Sequence, residues 1–512
     1  MATESVLLGL DVGTTNVKAV AYDFRGTTIA TSSARLVYHR PRAGWAVYRP
    51  DDIWDVTAAT LRQLSTALAG RYQPVAVAIS SMAETAVPID ARGNAVYDAI
   101  AWFDTRTRET VKWWRERVGD EFIFARTGLP LQPIFGIHKL MWFKQHEQEL
   151  FRRMCRWLNV ADYVAYRLCG EQATDLSLAS RMSALDLSSL SWSEEILAIA
   201  GIDRALLAPL VPSGVRLGTV KPDAAEQTGL SLQTAVVTGG HDHPCAALGA
   251  GVVRPGLLLD SMGTAEALLL VVEKPVLSEE VGRAGFQQGA HVVQGRYYCN
   301  GGLYTCGASI EWIRGILFSE NDSGSDGAYT EIERLARGAP PGAGGVHFLP
   351  HLRFASPPHN DDRGRGAFIG MTVDTTRGDL ARAVYEGLAH DARHSLAAME
   401  RMLATHAGEV RAVGGMTRNR LFMEIKAAMA ERPYAIMNVD EAGCLGAAIL
   451  AGLGAEVYSS VDDALSRMGL AKHEVSPDPR WEEAYAARFK KVYVKIYPAL
   501  RQIHGTISKD FV

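Results

Sequence analysis

The sequence predicts an α/β protein built as two related lobes that face each other, and three observations carry the prediction. Residues 7–23, LLGLDVGTTNVKAVAYD, set two β-rich runs (6–10 and 17–22) around Asp-Val-Gly-Thr-Thr, the pattern of a hairpin with a tight turn. Residues 257–273, LLLDSMGTAEALLLVVE, repeat it at a constant offset of 250, which pairs Gly13 with Gly263 and Thr14 with Thr264. Around both copies, short apolar runs lead into polar, Gly-rich strings and then into amphipathic stretches, the alternation expected of largely parallel sheets.

Each turn carries a chemistry. Glycine lets a backbone approach an anion, neighbouring N–H and hydroxyl groups donate to phosphate oxygens, and Asp11 can hold the water shell of a Mg²⁺ riding on those phosphates. Asp11 becomes Ser261 in the second copy, so the lobes share a shape while the metal side belongs to the first. Either copy alone also reads as an ordinary hairpin; the pair points to two phosphate-facing turns offered to one nucleotide.

At 512 residues the chain exceeds a single core and suits two large domains, 1–253 and 254–512, divided near Pro255-Gly256. A net charge of −4 gives no basic footprint for nucleic acid or an anionic membrane, which makes a small molecule the default partner. No apolar run is long enough to span a bilayer and MATESVLLGLDVG lacks the regions of a leader, so a cytoplasmic location is expected. Six cysteines without C-x-x-C spacing fit buried thiols in a reducing compartment.

In chain order, residues 27–37 read as a third strand, and Asp51 is expected to cap a crossover helix whose Trp54, Ala58, Leu61, Leu64 and Leu68 recur at helical spacing. Residues 75–79 form an apolar central strand. It ends in Ser80-Ser81-Met82-Ala83-Glu84-Thr85, a candidate substrate wall because ligands bind beyond the carboxyl ends of such strands. Residues 87–90 and 100–102 suggest a further hairpin around Arg92-Gly93-Asn94, running into Trp102-Phe103-Asp104-Thr105-Arg106. An aromatic, a carboxylate and a guanidinium so close together suit a polyhydroxyl ligand; a surface salt bridge near a buried tryptophan is the alternative. Residues 112–117 and 137–151 read as Trp-rich helices, with Trp113 and Trp114 in the core, and 157–200 as a mostly helical, Ser-rich insertion.

Residues 235–238 form a strand leading through a Gly239-Gly240 turn to His241-Asp242-His243-Pro244 and a small-residue helix, 245–251. A carboxylate held there, on a backbone another molecule can approach, suits a general base for a substrate hydroxyl. Two readings stay open beside it: Asp242 as a helix N-cap, and His241, Asp242 and His243 as a transition-metal site. In the second half, residues 285–293 and 296–300 read as strands. A Gly-rich turn, 301–307, then opens the helix 308–317, where Gly307 lets a nucleotide lie on the backbone. Residues 319–328 read as a solvated loop, and 351–366 as a polar segment on the surface or in the cleft. Thr376-Arg377-Gly378-Asp379 is a capping box before a long helix on which Glu386, His390 and Asp391 are solvated or structural. A strand at 410–413 runs into Gly414-Gly415-Met416-Thr417-Arg418-Asn419 and a helix, 443–448 form a small-residue helix, and a final helix places Trp481, Tyr485, Arg488, Val492 and Ile496 on one side.

Taken in order, these strings resemble the FGGY family of carbohydrate kinases, which share the two-lobed fold of actin, Hsp70 and hexokinase. LDVGTTNVKAVAYD resembles the first phosphate motif, AWFDTRT the W-x-D-x-R-T segment and GGHDHPCAALGAG the catalytic G-x-x-D segment. DSMGTAEA is similar to the second phosphate motif, CGASIEWIR to the nucleotide-side helix entrance, and GGMTRNRLFMEIKAAMAERP with EAGCLGAAILAG to the adenosine region. The resemblance implies two actin-like (ribonuclease H-like) α/β lobes with a nucleotide and sugar cleft between them, ATP and Mg²⁺ as cofactors, a small sugar or polyol as acceptor, and a homodimer left open. Position by position, Asp242 would be the base and, with Asp11, face the metal; Gly13, Thr14, Thr15 and Lys18 would meet the phosphates from one lobe, and Gly263 and Thr264 from the other. Gly307, Gly415, Met416 and Asn419 would lie against the nucleoside, and Met82, Ala83, Glu84, Trp102, Asp104, Arg106 and His243 would face the sugar.

Ser81-Met82-Ala83-Glu84 matches neither the Gln-Met-His-Gly usual in xylulose kinases nor the Asn-Gln-Arg-Glu of glycerol kinases, and His243 stands where Asn or Gln is more usual. A ketopentose such as xylulose is the first expectation, with glycerol, tetruloses, deoxyketoses and sugar alcohols open. The competing classes are an ATP switch of the actin or Hsp70 type, which needs neither Asp242 nor the 102–106 segment, and a metal hydrolase built on His241 and His243.

Overall fold

The computed structural model describes residues 3–318 and 325–510, and in it each copy of the repeated hairpin opens a sheet. In the first lobe β1 (Glu4–Val12), β2 (Asn16–Tyr22) and β3 (Thr28–Arg35) form an antiparallel meander, α1 (Pro50–Leu68) crosses over, and β4 (Tyr72–Ser81) returns parallel to β1. A largely helical insertion that includes α2 (Val160–Cys169) precedes β5 (Arg216–Thr219) and β6 (Ala235–His241), and α3 (Asp242–Gly249) follows β6 directly. The sheet order is β5-β6-β4-β1-β2-β3, with β6 parallel to β4.

The second lobe contains β7 (Leu257–Met262), β8 (Glu266–Val272), β9 (Gln287–Ala290), β10 (Tyr297–Leu303), α4 (Gly307–Leu317), α5 (Arg377–Leu403), β11 (Glu409–Val413), α6 (Arg420–Ala430), β12 (Tyr434–Met437), α7 (Ala442–Gly454) and β13 (Lys472–Val475). Its order is β9-β10-β8-β7-β11-β12-β13. Outward from β1 and from β7 lie two antiparallel strands on one side, and two parallel strands with an antiparallel edge on the other. The sequence repeat is therefore a repeat of topology, with β9 an added edge. The hairpins differ by one residue: β1–β2 closes at Val12↔Val17 and β7–β8 at Met262↔Glu266.

The small-residue strings are where backbones touch. α7 leaves the second lobe to pack on β1, β4 and α3. A Cβ on Gly9 would lie 1.8 Å from the Cys444 carbonyl oxygen, one on Gly446 1.9 Å from that of Cys245, and one on Gly249 2.0 Å from that of Ala442.

Several expectations give way to tertiary partners. α1 is capped by the backbone at Arg49 without a side-chain bond, because Pro50 takes the first turn and leaves Asp51 inside it. The turn at Arg92–Asn94 forms and Ile89 bridges Ala95, but Ala86–Ile89 pairs with Arg156–Asn159 and Ala99–Ile100 with Val47–Tyr48. The loop expected over 319–328 lies outside the described residues as far as 324, and a helix runs over Ser325–Gly338. The capping box at Thr376 and Asp379 is present, while Glu386, His390 and Asp391 are buried. The final helix is interrupted by a π turn at Phe489–Tyr493, which rotates the stripe so that Val492 is exposed and Phe489, Tyr493 and Ile496 are buried.

Candidate active site

Three adjacent parallel strands deliver polar groups to one edge. β1 and β4 are in register at Asp11↔Ser80, and β6 meets β4 at His241↔Ser81. Ser80 Oγ donates to Asp11 Oδ1 at 2.8 Å. Burial, followed by the charge of Asp242, raises the Asp11 carboxyl to about 7. At Asp242 burial acts upward too, yet His243 and His241, by charge and hydrogen bonding, hold it below the ordinary carboxylate value. His241 Nε2 lies 3.0 Å from Asp242 Oδ1, the His243 backbone N–H donates to that oxygen at 2.7 Å, and His243 Nε2 is 4.0 Å away. The charge of Asp242 raises the proton affinity of Asp11, a repulsion that a hard cation relieves, so Asp11 and Asp242 could hold Mg²⁺.

Gly239-Gly240 is not a turn. Both residues lie within β6, where a Cβ on Gly239 would sit 1.9 Å from the Ile79 carbonyl oxygen and one on Gly240 2.5 Å from Val292. The backbone cap of α3 is His241, which makes no side-chain cap bond, and Asp242 is the first helical residue, so the N-cap position lies one residue before it even though its Oδ1 accepts the His243 N–H. His241, Asp242 and His243 do bring ligand atoms within 4.8 Å of one another. His241 Nδ1, however, is buried without a partner, whereas a zinc-bound imidazole fixes its other ring nitrogen on a carboxylate or carbonyl.

The first phosphate turn is tied to its surroundings. Gly13 N–H donates to the Asn16 carbonyl at 3.0 Å, and Tyr48 donates its hydroxyl to the Thr14 carbonyl at 2.8 Å. Trp102 Nε1 donates to Thr14 Oγ1 at 3.0 Å, linking this turn to the expected sugar side. Thr15 is exposed, and Lys18 Nζ reaches both oxygens of Glu441, the residue before α7, at 2.7 and 2.8 Å. At the second turn the carbonyls of Gly263 and Thr264 accept from the N–H groups of Cys306, Gly307 and Ala308, so the entrance of α4 is built onto the turn. Gly307 is required by that contact, since a Cβ there would lie 2.7 Å from the Gly263 oxygen. Gly415 borders open space, Met416 packs against the second-lobe core, and Asn419 caps α6 while donating to the Tyr385 hydroxyl at 2.9 Å. Beneath the turn, Lys426 of α6 bonds Asp260 of β7 at 2.6 Å and Glu266 of β8 at 2.7 Å, all three fully buried.

The expected sugar wall divides. Met82 and Ala83 are each 2% exposed and belong to the first-lobe core. Asp104 and Arg106 are also withdrawn: the guanidinium bonds both carboxylate oxygens at 2.8 and 2.9 Å, the Ala46 N–H donates to Asp104 at 2.6 Å, and Arg106 stacks 3.8 Å above Trp45. This is the structural salt bridge of the alternative reading, buried rather than on the surface. Trp102, 37% exposed, and Glu84 remain beside the phosphate turn and the Asp242 string. Glu84 has a left-handed backbone, φ 59°, its carbonyl accepting from Lys139 Nζ at 2.5 Å and its Oε1 from Arg181 Nε at 2.6 Å. Lys139, Arg181 and Glu441 escape sequence reasoning because nothing local marks them.

Comparison with known proteins decides the family. The N-terminal domain of the FGGY family of carbohydrate kinases is matched over residues 6–249 and its C-terminal domain over residues 258–455. The chain belongs to the FGGY family of carbohydrate kinases. This FGGY kinase is accordingly a phosphotransferase with an alcohol group as acceptor, using ATP with Mg²⁺. It is 28% identical over 510 residues to the xylulose kinase of Lactococcus lactis subsp. lactis, covering 99% of this chain and 98% of that one. It is 33% identical over 473 residues to the glycerol kinase of Methylorubrum extorquens, covering 89% and 90%. The crystal structure of xylulose kinase from Rhodospirillum rubrum superposes with a TM-score of 0.90 at 28% identity, covering 98% of this chain and 100% of that one, and the fold is that of two actin-like lobes. Among the described residues no helix is long and apolar enough to cross a membrane.

Proposed function

We propose that this FGGY kinase phosphorylates a hydroxyl of a small sugar, first a ketopentose such as xylulose, with glycerol, tetruloses, deoxyketoses and sugar alcohols as rivals. The observation that carries the reading is the meeting of Asp242 and Asp11 beyond the carboxyl ends of parallel strands, beside the first phosphate turn and Glu84. Residues 1–253 hold the sugar and the base, and residues 254–512 the nucleotide.

Asp242 accepts the proton of the attacking hydroxyl and orients its oxygen in line. Its protein contacts fall on Oδ1, which leaves Oδ2 for that proton. Mg²⁺, when bound, neutralises charge on the transferred phosphoryl group, and Asp11 with Asp242 supplies the hard oxygen donors that hold it. Gly13, Thr14, Thr15 and Lys18 cradle the phosphates from one side and Gly263 and Thr264 from the other; Gly307, Gly415, Met416 and Asn419 line the nucleoside. Trp102 offers its ring to the C–H face of the sugar, Glu84 and His243 bind hydroxyls, and closure of the lobes keeps water from competing.

The test is ADP release from Mg-ATP across ketopentoses, tetruloses, deoxyketoses, glycerol and sugar alcohols. One acceptor should stimulate release strongly, and Asp242→Asn should lower kcat by roughly 10²–10⁴-fold with ATP affinity kept. A flat panel with slow, steady ATP hydrolysis would overturn the assignment in favour of an ATP switch.

A further inference from the structure

We infer that Arg181 is a positioning residue for the acceptor: it fixes the carboxylate of Glu84 for a neutral hydroxyl, and Tyr298 covers it from the second lobe. This rests on the sugar-kinase reading and adds to it a residue and a charge requirement.

Glu84 is held unusually firmly for a residue in a loop. A left-handed backbone is uncommon for glutamate and persists where neighbours impose it. Lys139 does so at the backbone, bonding the carbonyls of Glu84, Ile100 and Ala101. Arg181 does so at the side chain, bringing Nε to Oε1 at 2.6 Å and Nη2 to the same oxygen at 2.5 Å. No described protein group donates to Oε2, the oxygen left for a ligand. Both partners are nearly buried, at 6% and 8% side-chain exposure, so the pair is a fixed element and not a surface ion pair.

Arg181 follows the short helix Leu176–Ser180, whose N-terminus Asp175 caps, and its guanidinium lies 5.1 Å over the ring of Phe135. This segment is also where the lobes meet. Ser180 Oγ accepts from the Ala290 N–H at 3.0 Å, and the Gly128 carbonyl accepts from the Gln288 N–H at 2.8 Å, both on β9. Between these positions Gly289 pairs with Tyr298 of β10, and a Cβ on Gly289 would come 2.7 Å from the Tyr298 hydroxyl, so the phenol lies over that glycine. The phenol lies near Arg181. Arg181 Nη1 and the Tyr298 hydroxyl are both buried, and neither has a well-formed hydrogen bond. Across this lobe boundary a small approach of the lobes lets the guanidinium N–H donate to the phenol oxygen, which gives both of these open atoms a partner. One guanidinium thus couples the placement of Glu84 to lobe apposition.

The pair is neutral as a whole, and the open oxygen belongs to its anionic member. A hydroxyl donates to that oxygen, whereas an acceptor's own carboxylate is repelled. His243, beside Asp242, lies within the field of both Arg181 and Glu84, which puts this pair at the acceptor end of the cleft. The acceptor is therefore an uncharged polyhydroxyl compound with one hydroxyl for Asp242 and another for Glu84.

Steady-state kinetics of wild type, Arg181→Met, Arg181→Lys and Tyr298→Phe, with the best acceptor of the panel and with an aldonate of equal chain length, test this. Arg181→Met should raise the acceptor KM at least 10-fold with the ATP KM within 2-fold, Arg181→Lys should recover part of that loss, and Tyr298→Phe should raise the acceptor KM 3- to 10-fold. Wild type should prefer the neutral acceptor over the aldonate. An acceptor KM that Arg181→Met leaves unchanged, or a preference for the aldonate, overturns the inference while the kinase reading stands. If nothing in the panel is phosphorylated, the kinase reading fails, and calorimetric binding of the same compounds decides the inference. Binding lost in Arg181→Met supports it; binding unchanged, or none, overturns it.

Discussion

Replacing Lys426 by methionine removes the one cation between two buried carboxylates. Asp260 Oδ1 and Glu266 Oε2 are themselves buried without partners, so among the described residues neither side chain has another charge to turn to. In the native protein burial, then the charge of Asp260, raises Glu266 to about 7, while Asp260 is raised by burial against the pull of Lys426. Without the ammonium both carboxyls must be protonated to remain buried. For Asp260, holding a proton at pH 7 against an unfolded pKa near 4 costs about 4 kcal/mol, in line with the ~3–5 kcal/mol of a broken buried pair. The sign follows from linkage. The folded variant holds two protons more than the unfolded chain, so its stability falls by about 2.7 kcal/mol per pH unit above the ordinary carboxylate range. In the native protein the charge of Lys426 opposes that proton uptake, so the deficit should be about 4 kcal/mol at pH 7 and should grow as pH rises from 6 to 8. For a lobe of this size 4 kcal/mol lowers Tm by roughly 8–16 °C. Chemical denaturation of both proteins at pH 6, 7 and 8 measures this. A deficit under ~1 kcal/mol, or one independent of pH, would refute the picture of a water-free ion cluster under the second phosphate turn.

Three further outcomes are expected. Gly239→Ala drives a methyl into the Ile79 carbonyl inside a sheet, and should cost more than the ~1–3 kcal/mol of ordinary overpacking; a soluble variant with native Tm would contradict the close strand approach. Glu441→Gln frees Lys18 from its ion pair, so the salt dependence of the ATP KM should steepen relative to wild type, and an unaltered dependence would mean that Lys18 does not reach phosphate. His138 and His291 are buried and held down to about 3 by desolvation, so the unfolded chain takes up two extra protons below pH 6.5 and stability falls with acidification. His138→Gln should remove about 1.4 kcal/mol per pH unit from that fall between pH 6 and 5; an unchanged slope by denaturant titration would show that His138 is protonated in the fold.

What the sequence determined by itself is whatever a short stretch encodes: a β-rich run, a Gly-Thr turn, a capping box, a small-residue helix. Two copies of one such pattern were enough for two lobes, and the positions of Asp11 near the end of one strand and Asp242 directly after another were legible from the apolar runs that precede them. Partnership between distant residues was not legible. Lys18 and Glu441 are 423 positions apart, Glu84 and Arg181 97 positions apart, and Lys426 lies 160 and 166 positions from its carboxylates. Ala86–Ile89 meets the neighbour its turn suggests only in the Ile89–Ala95 bridge and takes as its strand partner Arg156–Asn159, 67 to 73 positions away. Asp104 and Arg106 look like ligand groups in sequence, and only the rings and backbone around them reveal a clamp inside the first lobe. Local pattern sets backbone conformation and the face that is buried, because those follow from sterics and hydrophobicity within a few residues. Which charge meets which depends on how whole sheets and helices pack, and that the tertiary structure alone decided.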